Sequence, residues 1–359
     1  MNNAASPVGR IASVDALRGL AVAAMLLVNN PGDWGHVYPA LLHAAWHGCT
    51  PADLIFPGFL FIVGVSAALS LSPRVALGAA PGPLCAAVLA RGLRIIALGL
   101  LLQALAWALL HRPEFRVMGV LQRIGLCFIV AGCVAVRWRE AWQWALLLAL
   151  LVGYSALLRA GATLEKLGSL PQHVDTWVLG RTAYEWDATT GVAFDPEGVL
   201  STLGALATTV FGLLCGGLLR RGDARALALT GALAALAGWV WSAWLPWNKQ
   251  LWTPSFALWT GGLAAFALAA AHVGIDRLGQ RPWGRAFGRN AIGAYAGAWV
   301  LSVLLAATGW GEWLYGVAFG PLGAWFGPQA QSLAFALAFV AAWAIVVRAL
   351  DRRGWYWRV

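Results

Sequence analysis

Charge is scarce in this chain. Only 11% of its 359 residues are Asp, Glu, Lys or Arg, against about 25% in a soluble domain. With 60% hydrophobic residues and a mean hydropathy of +0.70, the excess apolar surface cannot be hidden inside a soluble globule. That excludes a water-soluble Rossmann enzyme or a coiled coil as a reading of the whole chain. Cysteine is sparse too. Cys49, Cys85, Cys127, Cys133 and Cys215 are odd in number and form no CxxC, so neither a secreted disulfide scaffold nor a zinc finger fits, and they read as small buried hydrophobes. No P-loop, GxGxxG, GxSxG or EF-hand pattern occurs, which removes support for ATP-driven transport and for α/β-hydrolase chemistry. The apolar runs lack alternation, which argues against a β-barrel.

What is present is a series of ten apolar runs, at 11–28, 54–72, 84–110, 117–136, 141–158, 198–219, 226–245, 251–273, 287–306 and 329–350. A spanning helix needs about 20 such residues, so the expected fold is an all-α polytopic membrane protein of about ten spans. Segment 307–328, with Trp310, Gly311, Pro321, Trp325 and Pro328, reads as an interfacial or re-entrant piece. Arg10 ahead of the apolar stretch 19–28 invites comparison with a signal peptide. No small-x-small cleavage site follows, and the chain runs into Asn29-Asn30-Pro31-Gly32, so the segment is read as a retained first span. No long soluble insertion, Ser/Pro linker, low-complexity tract or obvious repeat interrupts the chain, so 1–359 is one domain.

The charges orient it. Of 25 basic residues only two are lysine. With the N-terminus in the cytoplasm, the inner loops and helix ends collect Arg10, Arg18, Arg74, Arg91, Arg94, Arg137, Arg139, Arg220, Arg221, Arg225, Arg277, Arg281, Arg285, Arg289, Arg348, Arg352, Arg353 and Arg358, which is 18 of the 25. Of the 15 acids, ten fall outside. The positive-inside rule therefore places both termini in the cytoplasm, and the +10 charge reflects topology rather than nucleic-acid binding. Five of the six histidines (His36, His43, His47, His111 and His173) fall on the outer face, where a site is expected to open.

The richest segment there joins the first two spans, from Asn29 through His43-Ala44-Ala45-Trp46-His47 to Thr50-Pro51-Ala52-Asp53. Imidazole can act as base or acyl acceptor near neutral pH, a carboxylate such as Asp53 can fix its tautomer, and Asn29 can hold a carbonyl or the other ring nitrogen. The alternative is a polar interfacial loop. His43 and His47 would share a helix face and could hold zinc, but Gly48 and Pro51 interrupt any helix, so no metal is expected. Asp15 and Arg18 read as a structural pair, or Arg18 as a phosphate ligand. Gln122-Arg123, at the edge of an apolar run, reads as functional or as snorkelling. Asp195-Pro196-Glu197-Gly198 reads as helix capping or substrate binding. Lys249, between Trp247 and Trp252, reads as a sugar contact or a belt residue, and Arg289-Asn290 as capping and topology.

Taken in order, these segments resemble the heparan-α-glucosaminide N-acetyltransferase family, including its bacterial relatives. The resemblance rests on Ser13-Val14-Asp15-Ala16-Leu17-Arg18-Gly19, Val28-Asn29, His43-Ala44-Ala45-Trp46, Thr50-Pro51-Ala52-Asp53-Leu54-Ile55-Phe56-Pro57, Gly119-Val120-Leu121-Gln122-Arg123, Asp195-Pro196-Glu197-Gly198, Asn248-Lys249-Gln250-Leu251-Trp252 and Arg289-Asn290. It implies transfer of acetyl from cytosolic acetyl-CoA to an amino sugar on the far side, in a bacterial inner membrane. It also implies catalytic roles for His43, Asn29 and Asp53. Arg18, Gln122, Arg123, Arg289 and Asn290 are expected to hold coenzyme A, and Trp46, His47, Asp195, Glu197, Asn248 and Lys249 the sugar. The large lumenal region and first span of the lysosomal enzyme are not found here, which favours a small glucosamine-like sugar over a polymer.

His43 either accepts the acetyl group or deprotonates the amine directly, and direct transfer is preferred. The expected partners are the amino sugar and the bilayer, with no nucleic acid and with a homodimer allowed. The rival readings are an amino-sugar permease without chemistry and an O-acetyltransferase of a cell-envelope glycan.

Overall fold

Each long apolar run becomes a helix, because only a helix satisfies every backbone N–H and C=O within one segment in the absence of water. The structure, a computed structural model, describes residues 11–357; Arg10 and Arg358, counted above on the basic side, lie outside the described residues. Thirteen α-helices follow in order: α1 (Ala12–Asn29), α2 (Ile55–Ala76), α3 (Pro81–Leu109), α4 (Val120–Arg137), α5 (Glu140–Ala160), α6 (Leu170–Val178), α7 (Thr202–Arg220), α8 (Ala224–Trp241), α9 (Pro254–Ala271), α10 (Arg285–Arg289), α11 (Ala291–Thr308), α12 (Trp310–Phe326) and α13 (Pro328–Arg352). Ten of them, all but α6, α10 and α12, are long and apolar enough to cross a membrane, at the places the hydropathy marks. Proline opens α3, α9 and α13, at the position where its missing N–H costs nothing.

Local chemistry sets the ends. Asp223 caps α8 by accepting the Ala226 N–H, and Ser169 caps α6. Between α6 and α7 lies a small antiparallel ladder, β1 (Glu185–Asp187) with β2 (Val192–Phe194), pairing Trp186 with Ala193. The helices approach through small residues, as they must where lipid leaves packing as the main attraction. A Cβ on Gly64 of α2 would lie 1.9 Å from the Thr209 carbonyl oxygen of α7, and one on Gly288 of α10 would lie 1.8 Å from the Asp15 carbonyl oxygen of α1. Both are impossible distances, so α2 meets α7, and α1 meets α10, backbone to backbone.

The bundle has two chemically distinct ends. At the arginine end Arg221 pairs with Glu140, Arg277 donates to the Gly222 carbonyl at 2.5 Å, and Arg289 pairs with Asp351 at 2.8 Å. At the same end Asp276 caps α1 through the Ala12 and Ser13 N–H groups. The other end holds the 30–54 connection, the α6 and β-ladder region and the 242–253 turn.

The helix α12 belongs to this second end. α11 leaves the arginine end at Asn290 and reaches Asn30 through Ser302; α13 starts beside Asp33, bound to Ser332, and returns to Arg289 through Asp351. Both ends of α12 therefore lie on one side, and it packs Tyr315 and Phe319 on Phe335 of α13. It is one continuous helix from Trp310 to Phe326, with no chain reversal inside it.

Candidate active site

The connection from α1 to α2 is organised by one buried carboxylate. Asp53 sits in a 3₁₀ turn (Pro51–Leu54) opened by a Thr50 capping box, and it is fully shielded from solvent. Its Oδ2 accepts the N–H groups of Ala44 and Thr50, each at 3.0 Å, and lies 3.1 Å from the Thr50 hydroxyl. Oδ1 lies 2.8 Å from Nδ1 of His43. A carboxylate placed there favours the tautomer with its proton on Nδ1 and leaves Nε2 as the base. The loop is tied to the far chain by Gly48, whose N–H donates to the Trp247 carbonyl at 2.7 Å, and by Trp46, whose indole donates to the Leu164 carbonyl at 3.0 Å.

The same tie delivers a lysine. In the 246–253 turn, Asn248 is buried; its Oδ1 accepts the Leu251 N–H at 2.8 Å, and its N–H donates to Thr253 Oγ1. The next residue, Lys249, places Nζ 3.0 and 2.9 Å from the two ring nitrogens of His43 and 3.6 Å from Asp53 Oδ1. Burial lowers the pKa of this ammonium against the opposing pull of Asp53 and Glu197. Trp252, fully buried with a φ of 48°, anchors the turn through an indole bond to Thr208 Oγ1 at 3.0 Å and an edge-on contact with Phe56.

A second wall comes from residues that sequence reasoning only half found. Asp195 is buried and takes four donors: Arg116 Nε at 3.0 Å, Arg116 NH2 at 2.6 Å, and the N–H groups of Tyr184 and Glu197 at 2.8 and 2.9 Å. Arg116 also meets Glu197 Oε2 at 2.5 Å and lies 4.5 Å over the Tyr184 ring. Burial works against ionisation of Glu197, but Arg116 and Arg123 outweigh it and hold the carboxyl below its ordinary range.

The 195–201 loop is gripped from behind. Asp175 accepts the N–H groups of Asp195 and Val199, and burial pushes its carboxyl up to about 6. A Cβ on Gly198 would lie 2.1 Å from Asp175 Oδ2, which explains the glycine of the Asp-Pro-Glu-Gly motif. Arg116 and Tyr184 sit outside every motif noted in the sequence, and only their partners at 195 and 197 were legible.

These residues surround space. Asn29, His43, Ala44, Arg116, Tyr184, Glu197, Lys249 and Tyr295 help line a cavity of 360 Å³ at the histidine end. A larger one of 610 Å³ at the arginine end is lined by Asp15, Arg18, Ser66, Arg91, Arg289, Tyr356 and Tyr295 among others. Arg18 contacts Asp15 at 3.2 Å, Ser66 Oγ at 2.6 Å and the Gly288 carbonyl at 3.3 Å, while Arg289 stacks on Tyr356 at 4.2 Å. Met25, Val120 and Tyr295 line both cavities, so the two abut across a single layer of side chains.

The expected site residues divide accordingly. His43, Asn29, Asp53, Glu197 and Lys249 converge at one cavity, Asp53 from behind His43, and Arg18 and Arg289 line the other. Gln122 and Arg123, expected beside coenzyme A, line neither cavity and sit at the histidine end. Arg123 is fully buried under the 195–201 loop, where NH2 reaches Ser201 Oγ at 2.6 Å and the Gly198 carbonyl at 3.2 Å. Asn290 is buried beside Arg289, with no hydrogen bond to its side-chain amide among the described residues. His47 turns to Asn248 at 3.4 Å and Glu165 at 3.9 Å, and Trp46 packs on Phe194; both lie outside the cavity lining, as do Asp195 and Asn248.

A ten-span helical bundle with a histidine-centred cavity at one end and an arginine-lined cavity at the other defines a polytopic membrane protein. Residues 10–179 match the family model described as heparan-alpha-glucosaminide N-acetyltransferase, catalytic. The heparan-alpha-glucosaminide N-acetyltransferase of Homo sapiens is 28% identical over 352 residues, covering 80% of this chain and 52% of the relative. That of Mus musculus is 28% identical over 361 residues, covering 82% and 54%. The chain thus spans about half the length of the curated relatives it matches. The resemblance read from the sequence is borne out by these matches: residues 10–179 fit the catalytic model of that family, and both relatives carry its name.

Proposed function

We propose that the chain is a transmembrane acetyltransferase that moves acetyl from cytosolic acetyl-CoA to the amino group of a glucosamine-like sugar on the periplasmic side of a bacterial inner membrane. The observation that carries this reading is the pair of abutting cavities, one lined by Arg18, Arg91 and Arg289, the other by His43 and Lys249. An arginine-lined, largely apolar cavity suits a ligand with an anionic head and a long, less polar arm. Arg18, Arg91 and Arg289 are the residues that would hold the coenzyme A phosphates, and the bound thioester would supply the acyl group.

At the other end the chain's own residues do the proton work. The amino sugar arrives largely protonated. His43 Nε2 takes the ammonium proton, Asp53 steadies the resulting imidazolium through Nδ1, and Asn29 on the cavity wall orients a carbonyl by its amide. The His43 side chain is 44% exposed, so an acetyl-imidazole there would meet water, which favours direct transfer. The outward placement of this end follows from the positive-inside rule, which assigns the arginine end to the cytoplasm.

The test is release of free thiol by the purified protein in detergent with acetyl-CoA and glucosamine. No release would overturn the acetyltransferase reading, and glucosamine uptake independent of acetyl-CoA would replace it with a permease. Labelling of a cysteine placed at 223 by an impermeant reagent on intact cells would overturn the orientation.

A further inference from the structure

The Arg116, Glu197 and Tyr184 wall is more than a structural ion pair. Asp195 takes four donors and is satisfied, so it fixes three cavity residues at once: the guanidinium of Arg116 and the backbones of Tyr184 and Glu197. The contacts of Arg116 use Nε and NH2, and those of the Glu197 side chain use Oε2. NH1 and Oε1 therefore take no partner among the described residues. Arg116, Glu197 and Tyr184 all line the cavity that holds His43, so the ion pair brings a charged donor and a charged acceptor to that wall beside an aromatic ring. A sugar hydroxyl is both donor and acceptor, so two neighbouring hydroxyls match such a pair, one donating to the carboxylate and one accepting from the guanidinium.

We propose that Arg116 and Glu197, held by Asp195 and flanked by Tyr184, form the subsite that grips neighbouring ring hydroxyls of the amino sugar, leaving its amine for His43. This rests on the acetyltransferase reading and adds to it a specificity rule. The enzyme selects a hydroxylated ring, and an amine without hydroxyls is a poor substrate for want of this grip.

The experiment uses the full chain in detergent with two acceptors, D-glucosamine and the hydroxyl-free ring amine cyclohexylamine, on the wild type, Glu197→Gln and Arg116→Lys. Each charge-assisted hydrogen bond lost should weaken binding about 10- to 100-fold. The KM for glucosamine should rise by that factor with kcat little changed, while kcat/KM for cyclohexylamine stays near its wild-type value. An equal loss for both acceptors, or an unchanged KM for glucosamine, would overturn the subsite.

Binding is read separately by protection against thermal unfolding with N-acetyl-D-glucosamine, which keeps the ring hydroxyls. Protection in the wild type that is lost in Glu197→Gln supports the subsite even if no acetyl transfer occurs, in which case the acetyltransferase reading alone has failed. No protection in the wild type overturns the subsite. Arg116→Lys keeps the charge beside both carboxylates, so one folded variant remains if Glu197→Gln proves unstable.

Discussion

Replacing Asp53 by asparagine removes one charge and keeps the shape of a side chain that is fully buried. Its Oδ2 faces the N–H groups of Ala44 and Thr50, each at 3.0 Å, so the amide oxygen must take that place; an NH2 there would oppose two donors. The amide nitrogen then occupies the Oδ1 position, 2.8 Å from Nδ1 of His43 and 3.6 Å from Nζ of Lys249. With a donor facing Nδ1, the ring must carry its proton on Nε2, the atom required to accept the substrate's proton. The tautomer is wrong for a base, and losing a correctly oriented base costs about 10²–10⁴-fold in turnover.

The loop keeps both backbone bonds to the side chain, so the stability loss should stay within about 1–3 kcal/mol. Asp53→Ala, which leaves both N–H groups without acceptors, should lose more. Arg18 and Arg289 lie at the opposite end of the bundle, so acetyl-CoA binding should hardly change. Thiol release, equilibrium binding of acetyl-CoA and thermal unfolding, measured side by side, separate these outcomes. Near-normal turnover in folded Asp53→Asn would refute the tautomer argument.

The remaining predictions concern other parts of the same machine. His43→Ala should lose about 10²–10⁴-fold in turnover, whereas His47→Ala should lose far less, because His47 faces Asn248 and Glu165 outside the cavity lining; the reverse order of losses would mean that His47 is the base. Arg18→Ala should weaken acetyl-CoA binding roughly 10- to 150-fold, the worth of one charge-assisted contact of about 1.5–3 kcal/mol, and an unchanged dissociation constant would leave Arg18 a purely structural partner of Asp15. The carboxyl of Asp175, raised to about 6 by burial from an ordinary 3.8, is higher in the folded than in the unfolded chain. Its contribution is therefore fully present below about pH 4 and is lost as pH rises through 6, a span of at most about 3 kcal/mol. The thermal midpoint should fall between about pH 4 and 6.5 in the wild type and stay level over that window in Asp175→Asn; a fall of equal size in both would assign it to another group.

The spans were legible in the sequence because crossing a membrane is a local property: some twenty consecutive apolar residues suffice, and the ten runs become ten helices. The division into a basic and a histidine-bearing end was legible for the same reason, since charges at the ends of runs report which ends share a side. The loop from Asn29 to Asp53 was legible as a unit because Thr50, Asp53, Ala44 and His43 are close in sequence as well as in space. Tertiary structure alone decided the rest. Lys249 reaches His43 from 206 residues away, and Arg116 meets Asp195 across 79, so no spacing rule could pair them. Arg123 shows the same limit from the other side: its position at the edge of an apolar run marks a buried cation, but only the packing of α4 under the 195–201 loop shows that it grips that loop. α12 is as apolar as its neighbours, yet it does not cross, because α11 and α13 fix both its ends on one side. Helix-to-helix register of this kind is set by backbone contacts such as Gly64 on Thr209 and Gly288 on Asp15, which composition cannot reveal because they depend on which faces meet.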